Sequence, residues 1–259
     1  MQALQIAASG MVAQQHATEV VANNLANMNT SGYQRRRTEF NDLIYSVMPR
    51  KDSVSSKAGE VVPSGVQQGM GVRIASIYRI NEQGNLKSTD NAFDLAIQGR
   101  GYFQVLLPNG DVAYTRDGTF QLNGTGQLVT HDGFNVQPGI LIPPGATDVT
   151  INASGEVLVK LDGANQPANV GVVQITTFPN EGGLQAIGDN MFKESKASGP
   201  ANSGAPGSPG FGSMLQGFVE TSNVNPVQEI AALIAAQRAY EMNSKVIQTA
   251  DQMLAPSRA

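Results

Sequence analysis

The sequence predicts an α+β protein, with one helix at each end of the chain and a central, mainly antiparallel β domain between them. Three observations lead to this fold class. Apolar residues recur near heptad spacing at both ends of the chain. Between the ends, short alternating or apolar runs are bounded by Gly, Asn, Asp and Pro, as in strands joined by tight turns. The 28 Gly, 13 Pro and 6% aromatic residues suit a turn-rich β body better than a helical enzyme.

The first helix is predicted from the N-terminus to about Asn29, and Gly32 marks its end. Its apolar stripe comprises Leu4, Ala7 or Ala8, Met11, Val21, Leu25 and Met28. Before Arg35 the only formal charge is Glu19, and Gln, Asn, Ser and Ala fill the faces that a solvated helix loads with Lys and Glu. A helix of this composition is expected to have neighbours on several sides.

The second helix is predicted to open at Asn225-Pro226, because proline suits the first helical position, and to carry Glu229 in its first turn. Pro256 is expected to close it. Its apolar stripe comprises Leu233, Tyr240, Ile247 and Leu254, spaced by seven, and Ile230, Ile234, Met242, Val246 and Met253. Periodicity alone fits either a two-helix buttress within one chain or packing between copies. The shortage of charge favours packing between copies.

The central strands are predicted from alternating and apolar runs. They cover residues 72–80, 93–97, 102–107, 112–122, 127–130, 134–142, 147–151, 156–161 and 170–178. The turns expected to need positive φ are Asn109-Gly110, Asp117-Gly118, Asn123-Gly124, Asp132-Gly133 and Asp162-Gly163.

The domain organisation follows from these elements. Residues 1–33 form the N-terminal helix, which together with 220–259, the C-terminal helix, makes an inner helical domain. The remaining parts are a linking segment over 34–71, the β domain over 72–194 and a linker-like return segment over 195–219.

The composition excludes several functions. A net charge of -4 gives no basic surface for nucleic acid, and the absence of Cys excludes disulfides and thiolate metal sites. Neither His16 nor His131 lies in a catalytic motif, and no paired carboxylates or metal cluster occur. We therefore expect no catalytic residue, cofactor, metal or small-molecule substrate. No apolar run reaches the roughly 20 residues of a membrane span, and the start lacks the basic region of a signal peptide.

Five segments of the chain carry recognisable motifs. They are Val20 to Tyr33 (VVANNLANMNTSGY), Gln98 to Phe103 (QGRGYF), Tyr114 to Phe120 (YTRDGTF), Glu220 to Asn225 (ETSNVN) and Gln237 to Lys245 (QRAYEMNSK). These segments resemble motifs of the flagellar basal-body rod and hook proteins, and they cover the chain from end to end in the order and spacing of that family.

The resemblance implies a non-enzymatic structural subunit that assembles in many copies into a tube. Its terminal helices would form an inner coiled-coil layer, and its β domain an outer layer. The chain length, the uninterrupted β domain and the segment around 46–65 look most like the distal-rod type. Such subunits build the straight rod that transmits motor torque to the hook, and the segment 46–65 is expected to make the rod rigid.

The resemblance also implies partners and a location. The partners would be proximal-rod and hook subunits, the P- and L-ring bushing, the rod cap and the flagellar type III export gate. The location would be the basal-body rod, which spans the periplasm, after export without a cleavable signal. Phe40 and Ile44 resemble the short aromatic-plus-aliphatic motif read by the export gate. The alternatives are a hook or proximal-rod subunit, a secreted β-rich binding module, or a peptidoglycan hydrolase, for which no carboxylate pair speaks.

Overall fold

The computed structural model describes residues 2–48, 66–162 and 166–254. Helix α1 covers Gln2–Ala26 and helix α2 covers Pro226–Leu254. Both predicted helices are thus confirmed, although α1 ends earlier than the apolar pattern suggested, and Met28 lies in the turn that follows. Gly32 closes this turn with a φ of 67°. Neither helix has the continuous apolar stretch that would be needed to cross a lipid bilayer.

The strands of the described residues are short. They are β1 Arg36–Asp42, β2 Tyr45–Met48, β3 Val66–Gly69, β4 Val72–Arg79, β5 Leu86–Ser88, β6 Leu95–Gln98, β7 Tyr102–Leu106, β8 Val112–Thr115, β9 Gln121–Leu122, β10 Leu128–Val129, β11 Asn135–Gln137, β12 Ala146–Ile151, β13 Glu156–Leu161, β14 Ala168–Val172, β15 Ile175–Thr177, β16 Gln185–Gly188, β17 Met191–Lys193, β18 Asn202–Gly204, β19 Ser213–Gln216 and β20 Phe218–Glu220. A single 3-10 turn lies at Glu181–Gly183.

The strands pair mainly antiparallel, as predicted. The largest sheet has the order β16-β17-β8-β7-β11-β10-β9, and β15 joins it through β7 and carries β18 on its other side. A second sheet has the order β12-β13-β14. Four two-stranded pairs complete the pattern: β1 with β4, β2 with β3, β5 with β20, and β6 with β19.

The described residues fall into two compact units. The first, which we call the helix–ribbon unit, comprises residues 2–25, 36–48, 66–78 and 226–254, and holds both helices and strands β1 to β4. The second, the β body, comprises residues 26–35, 79–162 and 166–225. The segment 195–219, expected to be linker-like, contains β18 and β19, which pair with β15 and β6 inside the β body.

The core of the β body is built from large buried side chains on its strands and on the turns beside them. Phe103 and Phe120 are fully buried, with ring centroids 5.0 Å apart in an edge-to-face arrangement. A second cluster joins Tyr102, Tyr114 and Phe178 through further edge-to-face contacts. The core of this unit is therefore completed by residues of its own chain.

The turn predictions were correct in part. Gly110 and Gly133 adopt positive φ as expected. Gly118 and Gly124 do not, so the reason given for those two glycines was wrong. Gly118 is required for another reason, since a Cβ there would collide with the carbonyl of Leu95. The predicted turn at Asp162-Gly163 and most of the segment 46–65 lie outside the described residues.

Candidate functional site

Helices α1 and α2 run antiparallel and contact each other within the helix–ribbon unit. Toward one end of the pair, Asn24 Nδ2 donates a hydrogen bond of 3.1 Å to Glu229 Oε2. Toward the other end, Asn243 lies against Gly10, where an added Cβ would be 2.8 Å from Asn243 Nδ2. Fourteen residues separate these two contacts on each helix. The register is therefore constant over about 21 Å of helix.

The surface along which the helices meet, which we call the seam, is rich in small residues. Its buried and half-buried positions recur at steps of three and four on both helices, the spacing of one helix face. On α1 they are Gly10, Ala13, Ala17, Val20 and Asn24, and on α2 Glu229, Leu233, Ala236, Ala239, Asn243, Ile247 and Ala250. Small side chains allow two helix axes to approach closely.

Most of the larger apolar residues predicted to mediate assembly lie beside the seam or away from it. Leu4, Met11, Val21, Leu25, Leu233 and Ile247 are half-buried, whereas Met28, Ile230 and Tyr240 are exposed. Leu254 is the last residue of α2, and its side chain lies outside the description. Within one chain, then, these residues are only partly covered.

Helix α2 also exposes a set of apolar side chains, which we call the α2 outer face. Its members are Val227, Ile230, Ile234, Met242, Val246 and Met253, and the exposed fraction reaches 76% at Val227 and 74% at Met253. The helix carries few charges beside them: Arg238, Glu241, Lys245 and Asp251. Exposed apolar surface of this extent is typical of interaction sites in proteins.

The β1–β4 ribbon rests on α1. The Leu43 N–H donates to the Gly71 carbonyl at 2.9 Å, and the Val72 N–H donates to Ser9 Oγ at 3.3 Å. Ser9 Oγ in turn donates to the carbonyl of Ile6 at 2.8 Å. Gly71 adopts positive φ where the chain passes α1, and a Cβ there would collide with Ser9. The ribbon is thus attached to the first turns of the helix.

The two candidate export residues lie on and after this ribbon. Phe40 is on β1 and is half exposed, and Ile44, between β1 and β2, is 85% exposed. Neither side chain belongs to the buried core. Their accessibility leaves them free to contact another molecule.

In the β body, one buried arginine connects three distant parts of the chain. Arg116 Nε donates to Glu220 Oε2 at 2.9 Å, and its Nη1 donates to the carbonyls of Gly99 and Gly101 at 2.9 and 2.6 Å. Both Arg116 and Glu220 are almost completely buried. A buried ion pair is stable only when further hydrogen bonds satisfy it, and Glu220 Oε1 accepts one from the Gly84 N–H at 3.0 Å.

The segments that lead out of α1 and into α2 are fixed to the β body at the same place. The Gly32 N–H donates to the Glu220 carbonyl at 2.8 Å, and the Arg35 N–H donates to Asn223 Oδ1 at 2.7 Å. Asn223 Nδ2 donates to the carbonyls of Ile80 and Glu82, both at 2.9 Å. We call the group of Gly32, Arg116, Glu220 and Asn223 the junction.

Comparison with known proteins identifies three segments of the chain. The family model described as "Flagella basal body rod protein" matches residues 4–34, the "Flagellar hook protein FlgE/F/G D1 domain" matches 96–159, and the "Flagellar basal body rod FlgEFG protein C-terminal" matches 215–255.

Full-length relatives agree. The flagellar basal-body rod protein FlgG of Caulobacter vibrioides is 61% identical and the alignment covers 98% of this chain and 97% of that protein. The FlgG proteins of Agrobacterium fabrum and of Buchnera aphidicola subsp. Baizongia pistaciae are each 48% identical, over 98% and 97% of this chain and 97% and 96% of theirs. The chain belongs to the flagellar basal-body rod protein family and is similar to FlgG over nearly its whole length.

The three segments shared with the rod family meet at the junction. Gly32 comes from the first segment, Arg116 from the second and Glu220 from the third. The motifs that carry the resemblance therefore include residues that hold the segments 26–35 and 220–225 within the β body.

A member of the rod family is a structural subunit and not an enzyme. In the part of the chain that the structure describes, no group of three or more His, Asp or Glu side chains could hold a metal ion. His16 contacts Glu19 on the exposed side of α1 at 3.0 Å, and His131 contacts its neighbour Asp132 at 3.2 Å. These are local surface pairs.

Two ionisable groups near the junction are perturbed by burial. Burial raises the pKa of Tyr102, and the nearby charge of Glu181 raises it further. Burial also raises the pKa of Asp117, although its Oδ1 accepts hydrogen bonds from the Thr119 N–H and hydroxyl. Both follow from placing an ionisable group in a poorly solvated site.

Specific contacts were not predicted from the sequence for four residues: Asn24, Glu229, Arg116 and Glu220. Each of them lies in a motif or helix turn described above. The available signal was the scarcity of charge: α1 carries one formal charge in 25 residues, so each charged or amide group on the helices is a candidate for a specific pair.

Proposed function

We propose that this rod subunit assembles through its helices into the straight distal rod, which transmits motor torque to the hook. The observation that supports this proposal is the α2 outer face. Side chains such as Val227 and Met253 are largely exposed in the single chain. Burying an aliphatic side chain against another copy contributes about 1 kcal/mol or more, so a set of six favours association.

The proposed arrangement places α1 and α2 in an inner coiled-coil layer, with the β body outside. Helix α2 has apolar residues on the seam and on its outer face, a pattern typical of a helix covered on several sides. The low charge of α1 supports the same arrangement, because an unpaired charge is costly when a helix is surrounded by protein.

Rod rigidity is proposed to depend on the segment 46–65. Residues 49–65 lie outside the described part of the chain, but the strands on either side of them pair in register, with Tyr45 opposite Gly69 and Met48 opposite Val66. The two ends of the segment are therefore held next to each other. Deleting 49–65 should give rods that bend; equally straight, stiff rods would count against this role.

The further partners and the location are proposed from family membership. The rod would span the periplasm and contact proximal-rod and hook subunits, the P- and L-ring bushing and the rod cap, after passing the type III export gate without a cleavable signal. Phe40 and Ile44 are the proposed export motif, and their exposure supports recognition by another protein. Normal secretion of the Phe40→Ala, Ile44→Ala double variant would exclude that role.

The experiment that tests assembly introduces charge on the α2 outer face. Ile230→Glu with Ile234→Glu should abolish tubes in negative-stain electron microscopy and motility in a strain lacking its own distal-rod gene. The matched control is Leu141→Glu with Ile187→Glu, which adds the same two charges at exposed apolar residues of the β body. Motile cells with intact basal bodies from the double variant would contradict the proposal. Rescue of a hook or proximal-rod mutant instead would move the subunit to that position.

A further inference from the structure

Asn24 occupies a buried position at the seam, where only 1% of its surface is accessible. Its Nδ2 donates to Glu229 Oε2 at 3.1 Å and to the Arg36 carbonyl at 2.8 Å, and its Oδ1 accepts from the Arg36 N–H at 2.9 Å. Because the Arg36 N–H must donate and its carbonyl must accept, these bonds also determine which way the amide is turned.

We propose that Asn24 is a positioning residue that sets the register of α1 against α2 and joins this register to the start of β1. One carboxamide would thereby hold three segments of the helix–ribbon unit: α1, α2 and the ribbon. In the assembled rod, this contact would keep the helix pair from slipping under torque. That mechanical role rests on the proposed function.

The seam needs such a device because its small residues repeat. Gly and Ala at heptad-related positions offer similar packing if one helix slides by seven residues. A slide in one direction would place Ala236 opposite Asn24 and carry Glu229 past the end of α1. A slide in the other direction would place Glu229 opposite Ala17 and carry Asn24 past the start of α2. Either slide leaves a buried carboxylate and a buried amide without each other. Unpaired buried polar groups carry a full desolvation penalty, so the native register is favoured.

A second contact supports the same register. Asn243 lies against Gly10, where the missing Cβ leaves room for its amide. In the slid arrangement Gly10 would face Ala236 or Ala250, and Asn243 would face a residue with a Cβ. Polar residues thus mark both ends of the small-residue seam, fourteen positions apart on each helix.

The joint to β1 explains why an amide is present rather than an apolar residue. Arg36 is the first residue of β1, and Asn24 bonds to both its backbone N–H and its carbonyl, as a neighbouring strand would. No apolar side chain can make these bonds. A change of register at the helices would therefore have to break the start of the ribbon as well.

The absence of cysteine allows a direct test with introduced pairs in the full-length chain. Ala17→Cys with Ala236→Cys reports the native register, and Ala13→Cys with Ile247→Cys reports a slide of one heptad. Disulfides formed within one chain are read by gel mobility and peptide mass after mild oxidation. In the otherwise unchanged chain, the native pair should cross-link about tenfold more than the slid pair.

Two backgrounds separate register from packing. Glu229→Gln keeps an acceptor for Asn24 and should keep the preference. Asn24→Leu with Glu229→Leu removes the polar pair and should reduce the preference to about threefold or less. A preference unchanged in the Leu pair, or lost in Glu229→Gln while helix content is kept, would overturn the proposal.

If the Leu pair does not fold, Asn24→Asp alone carries the test, because it sets two carboxylates against each other without changing size. The native preference should then be lost, and its persistence would refute the role of Asn24. The readout is intramolecular and independent of tubes. A chain that keeps the register but fails to assemble would refute the proposed function and leave this inference standing.

Discussion

The β body and the helix–ribbon unit use the same kinds of apolar residue in opposite ways. In the β body, Phe103 and Ile175 are completely buried against side chains of their own chain. On α2, Ile234 and Met242 remain exposed although the helix already contacts α1. The comparison shows that folding of one chain completes the first unit and leaves the second with surface to cover.

The two units also differ in the polar side chains that they bury. The β body buries a full ion pair, Arg116–Glu220, with hydrogen bonds to surrounding backbone. The seam buries only an amide and a carboxylate, Asn24 and Glu229. Each unit thus has a buried contact between oppositely placed polar side chains, and the two contacts can be altered separately.

The largest effect is expected when the ion pair of the β body is broken. Arg116→Ala should lower the free energy of unfolding by about 3–5 kcal/mol, because Glu220 is left buried without its partner. Urea unfolding followed by circular dichroism measures the change. The control is Lys193→Ala, which removes the half-exposed Lys193–Asp111 pair and should cost less than about 1 kcal/mol. Equal losses would show that burial does not govern the pair.

The next effect compares one substitution in both units. Ile175→Ala should cost about 2–5 kcal/mol in unfolding free energy, since the side chain is fully buried. Ile234→Ala, on the α2 outer face, should change it by less than about 0.5 kcal/mol but weaken tube formation. A large stability loss at Ile234 would mean that α2 is already covered within the single chain.

A smaller effect concerns the alkaline limit of the β body. The raised pKa of Tyr102 means that the folded state keeps its phenol proton where the unfolded chain, with a pKa near 10, loses it. The resulting stabilisation is complete below that pH and is lost as the pH rises through the folded-state value. Tyr102→Phe should therefore flatten the fall in stability above about pH 10. The measurement is a series of urea midpoints, and an unchanged slope would contradict it.

The smallest effect is expected at Asp117, whose pKa burial raises. Its contribution to stability is present below the unfolded-state pKa and is lost as the pH rises through the folded-state value. At neutral pH the buried negative charge of Asp117 therefore lowers the free energy of unfolding. Asp117→Asn keeps an oxygen for the Thr119 donors and should raise stability by about 0.5 kcal/mol at pH 7, with no gain near pH 3. Thermal unfolding at both pH values distinguishes the two cases.

Periodicity predicted the helices and the longer strands because those elements repeat one geometry over many residues. Strands such as β16 and β18 were missed, since four or three residues next to glycine give too short a pattern. The predicted apolar stripe of α1 includes large residues such as Leu4 and Met11, because a hydrophobicity pattern is dominated by large apolar side chains. Close approach of two helices favours Gly10 and Ala13, which a hydrophobicity pattern barely registers.

The junction depends on residues that only folding brings together. Arg116 and Glu220 are 104 positions apart, and no local pattern reveals such a pairing. The sequence offered only the indirect sign that both lie in the motifs that resemble the rod family. The function followed from those motifs, whereas the geometry that joins them required the structure.

The position of Glu220 near the end of the chain also decides when the junction can close. Gly32, Gly84 and Arg116 hydrogen-bond to Glu220, and strands β5 and β6 pair with β20 and β19. Loops of this length are entropically costly to close. In a chain made from its N-terminus, these contacts form only once about the last forty residues are present.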